Sequence, residues 1–248
     1  MADSEYIRRL RTAYLDLMRD SLTGRLNEDP PLAASNGGEY RPGYREQGWD
    51  WPSKAPSMIG TLRMQNVRSE CERVIAENVP GDFVETGVWR GGAAIMMRAV
   101  LAAYDIADRR VFAADSFEGF PAQSDADSNF TVGGIPEFAV SLEEVKSNFE
   151  RYGLLDAQVV FLKGLFGDTL PDAEIERIAV LRLDGDLYES TRDGLVLYPK
   201  LSPGGALIAD DYYLFDGQRR AIDEYRDAHG ITDPIQRIDH FGGYWVKR

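Results

Sequence analysis

Cysteine is almost absent from this 248-residue chain. Cys71 stands alone, so no intrachain disulfide can form and no cysteine cluster can hold zinc. A reducing, cytoplasmic setting is the simpler expectation. Histidine is nearly as scarce: only His229 and His240 occur, neither at a metal-motif spacing. No stretch approaches the roughly 20 apolar residues of a membrane helix, and the opening MADSEYIRRL lacks a signal peptide's apolar run. A soluble protein is expected. Positive charge is short as well, with 28 Lys and Arg against 41 acidic residues. The formal net charge of −13, with no basic stripe, argues against nucleic-acid and membrane partners. Several catalytic signatures are missing too, among them G-x-S-x-G, H-E-x-x-H, C-x-x-C and Tyr-x-x-x-Lys.

What remains is an alternation of short apolar runs and helix-like periods, the pattern of a doubly wound α/β sheet. The chain centres on DFVETGVWRGGAA, where the apolar Phe83-Val84 breaks at Glu85-Thr86-Gly87 and a small-residue helix follows Gly91-Gly92. A strand, a glycine turn and a helix start place this stretch at the carboxyl edge of the sheet, where such folds bind ligands. The turn has neither a P-loop lysine nor G-x-G-x-x-G. Its Glu85 suits a cationic or amino-bearing ligand, and S-adenosylmethionine, with a sulfonium and a free amino group, answers that description. VFAADS, residues 111–116, reads as the next strand, and Asp115 at its end stands where a carboxylate takes the two ribose hydroxyls of an adenosine. Further strands are expected at 157–164, 178–183 and 206–209, with two last strands near the C-terminus, the closing one antiparallel. Asp168, in the turn LFGDTLPD, is placed either against an adenine amino group or as a cap of the next turn.

Helices are expected over 5–22, 57–78 with Ser57 as cap, 93–104, and 141–151 with Ser141 and Glu144 as a capping box. Cys71 falls on an apolar helix face as an inert buried thiol. Between Thr23 and Pro56 the chain turns to Gly, Pro and polar residues, but Tyr40, Tyr44, Trp49 and Trp51 bring apolar area that wants burial or a ligand. An N-terminal unit over 1–56, made of the first helix and a lid or substrate arm over 23–56, and a catalytic domain over 57–248 follow. The polar stretch 122–136 reads as an inserted loop.

Two consecutive strands end in aspartate pairs, Asp184-Gly185-Asp186 and Asp210-Asp211. In a parallel sheet these ends share one edge, so all four carboxylates should converge on the crevice that Glu85 and Asp115 line. Such a cluster calls for a hard divalent cation, Mg²⁺ before Ca²⁺ where substrate oxygens and water complete an octahedron. Asp186 is the expected general base with Asp184, Asp210 and Asp211 as ligands; the exchange of Asp184 and Asp186 stays open.

ETGVWRGGA, ADSFEGFP, RYGLLD, LRLDGD, LSPGG and ADDY together closely resemble the macrocin O-methyltransferase (TylF-type) family, from about Ser57 to the C-terminus. That family methylates deoxysugar hydroxyls on macrolides, aminocoumarins and similar natural products, using S-adenosylmethionine and Mg²⁺. The resemblance implies a Rossmann-like methyltransferase fold with an N-terminal lid and a glycosylated small-molecule acceptor. It implies Glu85, Thr86 and Gly87 at the methionine end, Asp115 and Ser116 at the ribose, Thr61 and Leu62 near the donor, and Asp184, Asp210 and Asp211 on the metal. Catechol-type relatives carry a lysine base three residues after the first metal aspartate. Leu187 stands there in this chain, which favours an aspartate base and an alcohol acceptor. An NAD-dependent sugar oxidoreductase and a non-catalytic binding protein are the alternatives. Whether the first helix closes a homodimer or a larger homo-oligomer stays open.

Overall fold

The computed structural model describes residues 5–35 and 37–248. Its helices are α1 (Glu5–Leu22), α2 (Pro42–Gln47), α3 (Gly60–Ala76), α4 (Gly92–Ala103), α5 (Leu142–Arg151), α6 (Phe166–Thr169), α7 (Tyr188–Gly194) and α8 (Asp216–Ala228). The strands are β1 (Asp82–Thr86), β2 (Val111–Asp115), β3 (Val159–Lys163), β4 (Ile178–Leu183), β5 (Leu201–Ala209), β6 (Gln236–Arg237) and β7 (Gly243–Val246). They form one sheet in the order β3-β2-β1-β4-β5-β7-β6, parallel through β5, with β7 antiparallel to both its neighbours. The doubly wound Rossmann-like sheet with an antiparallel closing strand is thus present. Strand order reverses beside β1, with β2 on one side and β4 on the other, so the crevice at this switch point is the natural ligand site.

Both faces of the sheet are covered, which is why its central strands read as continuous apolar runs. Phe83 points into a core with α3 and α4, while Val84 points into another with Leu181, Leu207 and the fully buried Trp245. Leu15, Met18 and Leu22 of α1 join the first of these cores. The step at residue 56 therefore separates chain segments but not cores. Cys71 is fully buried, and desolvation pushes its thiol well above the ordinary range, consistent with an inert packing residue.

Two local expectations shift. The helix expected from Ser57 starts at Gly60 instead, because Gly60 sits at φ +75° and the backbone cannot run helically through it. Ser57 Oγ reaches only the Ile59 N–H, at 3.4 Å. Ser141 does cap α5, accepting from Glu144 N–H at 3.2 Å, but the Glu144 carboxylate turns toward Arg90, 3.9 Å away, so only half of the capping box forms.

The segment 23–56 is folded around a buried arginine. Arg45 binds Asp50 in a fork, at 2.8 and 3.0 Å, and donates to the carbonyls of Thr23 and Asp29. Asp29 in turn accepts from Ser53 Oγ and from the N–H groups of Lys54 and Ala55. A side chain on Gly60 would begin 2.3 Å from Gly48 N, so this glycine pair lets α2 close onto the start of α3. The arm is thereby held over the crevice.

Candidate active site

A cavity of about 1070 Å³ opens beyond the carboxyl ends of β1, β2, β4 and β5. Its first wall is the glycine turn. Gly87 lies at φ +85°, and a Cβ there would fall 1.9 Å from the Asp184 carbonyl oxygen, so only glycine lets β1 and β4 end this close together. The turn is tied to β2 by Asp115, whose two oxygens accept from Val88 N–H and Phe117 N–H, both at 2.7 Å. Burial pushes the Asp115 carboxyl up, while these backbone donors pull it back. Ser116 Oγ donates to Gly119 O at 2.6 Å and accepts from Glu118 N–H.

Glu85 is buried beside Arg182 in the parallel register of β1 and β4. Its Oε1 accepts from Arg182 Nη1 at 2.6 Å, and its Oε2 makes no hydrogen bond of ordinary geometry. Desolvation raises its pKa to about 7 against the pull of Arg182 and the Ala94 N–H at the start of α4. A buried acceptor without a hydrogen bond, on a residue that lines the cavity, fits a ligand that brings a donor, such as an ammonium group.

The second wall carries the aspartates. Asp184, Asp186 and Asp211 each bring one oxygen into a group whose members lie within 4.8 Å of one another. Burial and mutual repulsion push all three carboxyls up, Asp184 and Asp186 furthest. Asp186 sits at φ +57° in a γ-turn closed by Leu187 N–H and Gly185 O at 2.5 Å, and its Oδ1 has no hydrogen-bond partner of ordinary geometry among the described residues. A non-glycine residue in that conformation is strained, and strain of this kind persists where surrounding structure enforces it. The donor set is all oxygen, with Asp186 and Asp211 buried and Asp184 half-buried, which suits a hard divalent cation.

Asp210 departs from expectation. Its Oδ1 pairs with Arg182 Nη2 at 2.6 Å and its Oδ2 with Arg63, so it faces two guanidinium groups rather than the three-carboxylate group. Asp186 takes its place among the converging oxygens. Arg182 also reaches Asp184 Oδ2 at 2.8 Å, and Arg63 reaches Asp239 Oδ2 at 3.1 Å. These two arginines are what permit the carboxylates to be buried side by side.

Aromatic rings close the remaining wall. The arm contributes Tyr44, Trp49 and Trp51, and the C-terminal loop contributes His240 and Phe241. Trp49 meets His240 at 5.3 Å between ring centres, and Trp51 meets Phe138 at 5.0 Å. Of the expected residues, Glu85, Gly87, Asp115, Ser116, Asp184, Asp186, Asp210 and Asp211 line the cavity. Thr61, Leu62, Thr86 and Asp168 do not. Thr61 and Leu62 lie in the first turn of α3, whose Arg63 lines the space along with the preceding Met58 and Ile59. Thr86 is buried and donates to Arg182 O. Asp168 is exposed on α6, and Gly164, Leu165 and Phe166 face the cavity instead.

Residues 18–247 match the macrocin-O-methyltransferase (TylF) family. The chain belongs to that family. It is 51% identical over 245 residues to an 8-demethyl-8-(2,3-dimethoxy-alpha-L-rhamnosyl)-tetracenomycin-C 4'-O-methyltransferase of Streptomyces olivaceus, covering 95% of this chain and 92% of that protein. A demethyldecarbamoylnovobiocin O-methyltransferase of Streptomyces niveus is 49% identical over 243 residues, covering 94% and 93%. The solved structure of the O-methyltransferase NovP superposes with a TM-score of 0.92 at 49% identity, over 96% of this chain and 99% of that one. The chain is therefore an enzyme of the methyltransferase class. Arg63 and Arg182 had escaped sequence reasoning, although an arginine inside the buried run IAVLRL is itself a signal that charges wait beside it.

Proposed function

We propose that this enzyme transfers a methyl group from S-adenosylmethionine to a deoxysugar hydroxyl of a glycosylated natural product, with Mg²⁺ held at the aspartate cluster. The observation that carries the reading is one cavity joining two unlike halves: Glu85, the glycine turn and Asp115 on one side, and Asp184, Asp186 and Asp211 on the other. The relatives named above support the acceptor class, since they are named as O-methyltransferases of a rhamnosyl tetracenomycin and of a novobiocin precursor.

The roles follow from the geometry. Glu85 offers its open Oε2 to the ammonium group of the donor, and Asp115 keeps lone pairs free for ribose hydroxyls after its two backbone bonds. Asp184 and Asp211 would hold the cation with Asp186 beside them, and Asp210 serves as the counter-charge for Arg63 and Arg182. When bound, the cation lowers the pKa of a hydroxyl that reaches it and offsets the carboxylate charge. Asp186, with a raised affinity for protons and an unpartnered Oδ1, would take the hydroxyl proton as the oxygen acquires the methyl group. Trp49, Trp51, Phe241 and their neighbours exclude water and receive the apolar body that carries the sugar.

The test is methyl transfer from labelled S-adenosylmethionine to a panel of deoxysugar glycosides and to their sugar-free aglycones, with Mg²⁺ or with a chelator. Label on the glycosides alone, lost on chelation, is the expected result. Label on aglycones, or transfer indifferent to chelation, would contradict the reading.

A further inference from the structure

The inserted loop 122–136 is more than a wall of the cavity. Both helices that follow the aspartate-bearing strand ends start without a cap of their own: the residue before α7 is Leu187 and the residue before α8 is Phe215, and neither has a side-chain oxygen. The loop supplies what they lack. Asp127, itself buried, accepts from Tyr188 N–H at 2.7 Å, the first amide of α7. Asn129 Oδ1 accepts from Asp216 N–H at 3.1 Å, the first amide of α8, and its Nδ2 donates to Leu214 O at 3.0 Å.

This docking is specified by more than two bonds. The second Asp127 oxygen accepts from Ser124 N–H and Oγ, which shapes the loop. A Cβ on Gly217 would lie 2.3 Å from Asp127 Oδ1, so α8 leaves room for that carboxylate. Phe130 is buried between Phe120 and Phe215, at 4.9 and 5.1 Å. The same loop lines the cavity through Asn129, Thr131 and Val132.

The capped helices hold the carboxylates. The γ-turn at Asp186 runs directly into α7, and Gln218 of α8 accepts from Asp211 N–H at 2.9 Å. A change in the loop therefore moves the starts of α7 and α8, and with them Asp186 and Asp211. We propose that Asp127 and Asn129 are positioning residues, which cap α7 and α8 across the fold and couple the acceptor wall of the cavity to the carboxylate cluster. The kinetic part of this proposal rests on the function proposed above.

The test compares Asp127→Ala, Asn129→Ala and Asn129→Asp with the wild type. Ser141→Ala, which removes the cap of α5 away from the site, is the control for lost stability alone. Readouts are Mn²⁺ affinity by titration, S-adenosylhomocysteine affinity, KM and kcat for a deoxysugar glycoside, and hydrogen exchange at Tyr188 and Asp216. Asp127→Ala and Asn129→Ala should each weaken Mn²⁺ binding and raise acceptor KM about tenfold, the scale of one lost cap. Donor affinity should stay within about twofold. Asn129→Asp, which keeps the acceptor for Asp216 N–H, should restore both values, and Ser141→Ala should change neither. Unchanged Mn²⁺ affinity and KM in the two alanine variants would overturn the proposal, as would a parallel fall in donor affinity. If the wild type methylates no glycoside, the proposed function falls, while Mn²⁺ affinity and hydrogen exchange still decide the capping.

Discussion

The two halves of the cavity are both acidic, yet they are stabilised in opposite ways. At the β1–β2 end, Asp115 is satisfied by backbone N–H groups of the turns that it ties together. Its charge is met by fixed dipoles, with lone pairs left over for a ligand. At the β4–β5 end, Asp184, Asp210, Asp211 and Asp239 share Arg63 and Arg182, the latter also reaching across to Glu85 of β1, while Asp186 pairs with neither and its Oδ1 has no hydrogen-bond partner among the described residues. The Asp115 charge is therefore compensated by folding before a ligand arrives, whereas the carboxylate cluster at the second end is fully compensated only by what it binds. Substitutions should separate the two ends accordingly.

The largest effect belongs to the unfinished end. Asp186→Asn should lower kcat by about 10²–10⁴-fold, the usual worth of a general base, with S-adenosylhomocysteine affinity nearly unchanged. Near-normal kcat in this variant would move the base elsewhere, with Asp184 next in line. Removing a shared arginine comes next. Arg182→Met strands Glu85, Asp184 and Asp210 in a buried site and should cost about 3–5 kcal/mol in urea unfolding. A loss below about 1 kcal/mol would show that the cluster is far better solvated than its burial indicates.

A pH series in chelator sharpens the contrast. Glu85 is raised from its ordinary 4.5 to about 7, so in that window the folded protein holds a proton that the unfolded chain has released. Stability should therefore fall as pH rises from about 4.5 to 7, by up to about 3 kcal/mol for this group. Asp184, Asp186 and Asp211 push in the same direction. Mg²⁺ competes with those protons and should flatten the fall, and Glu85→Gln should remove its own share. Urea midpoints at pH 5 and pH 7.5 check this; stability that climbs over the interval in chelator would refute the raised values. The smallest effect is that of Ser141→Ala, about 1 kcal/mol of stability from the lost cap of α5 and no change in turnover, read by thermal unfolding and initial rates.

The same division explains what was legible in the sequence. β4 reads directly from IAVLRL, and Asp115, Asp184 and Asp211 from their places at strand ends, because period and strand polarity are local properties that the sheet preserves. What escaped depends on partners far along the chain. Arg63 meets Asp210 across 147 positions, and Asp127 meets Tyr188 across 61, so neither pairing has a local signal. Asp168 lies off the cavity for a related reason: the turn after β3 reaches it through Gly164, Leu165 and Phe166, and the short α6 leaves the Asp168 carboxylate exposed. Asp210 shows the limit of placing residues by strand end alone. Its position is right, while its orientation is set by two guanidinium groups on α3 and β4.

The most direct test of the account is calorimetric titration of Mg²⁺ into the S-adenosylhomocysteine-saturated enzyme at pH 7.5, for the wild type and for Asp211→Asn. One saturable site is expected in the wild type, with binding that releases protons, and at least a tenfold weaker site in the variant, about 1.4 kcal/mol. No heat of binding in the wild type, or equal affinity in the variant, would contradict the claim that the aspartate cluster is completed by a divalent cation.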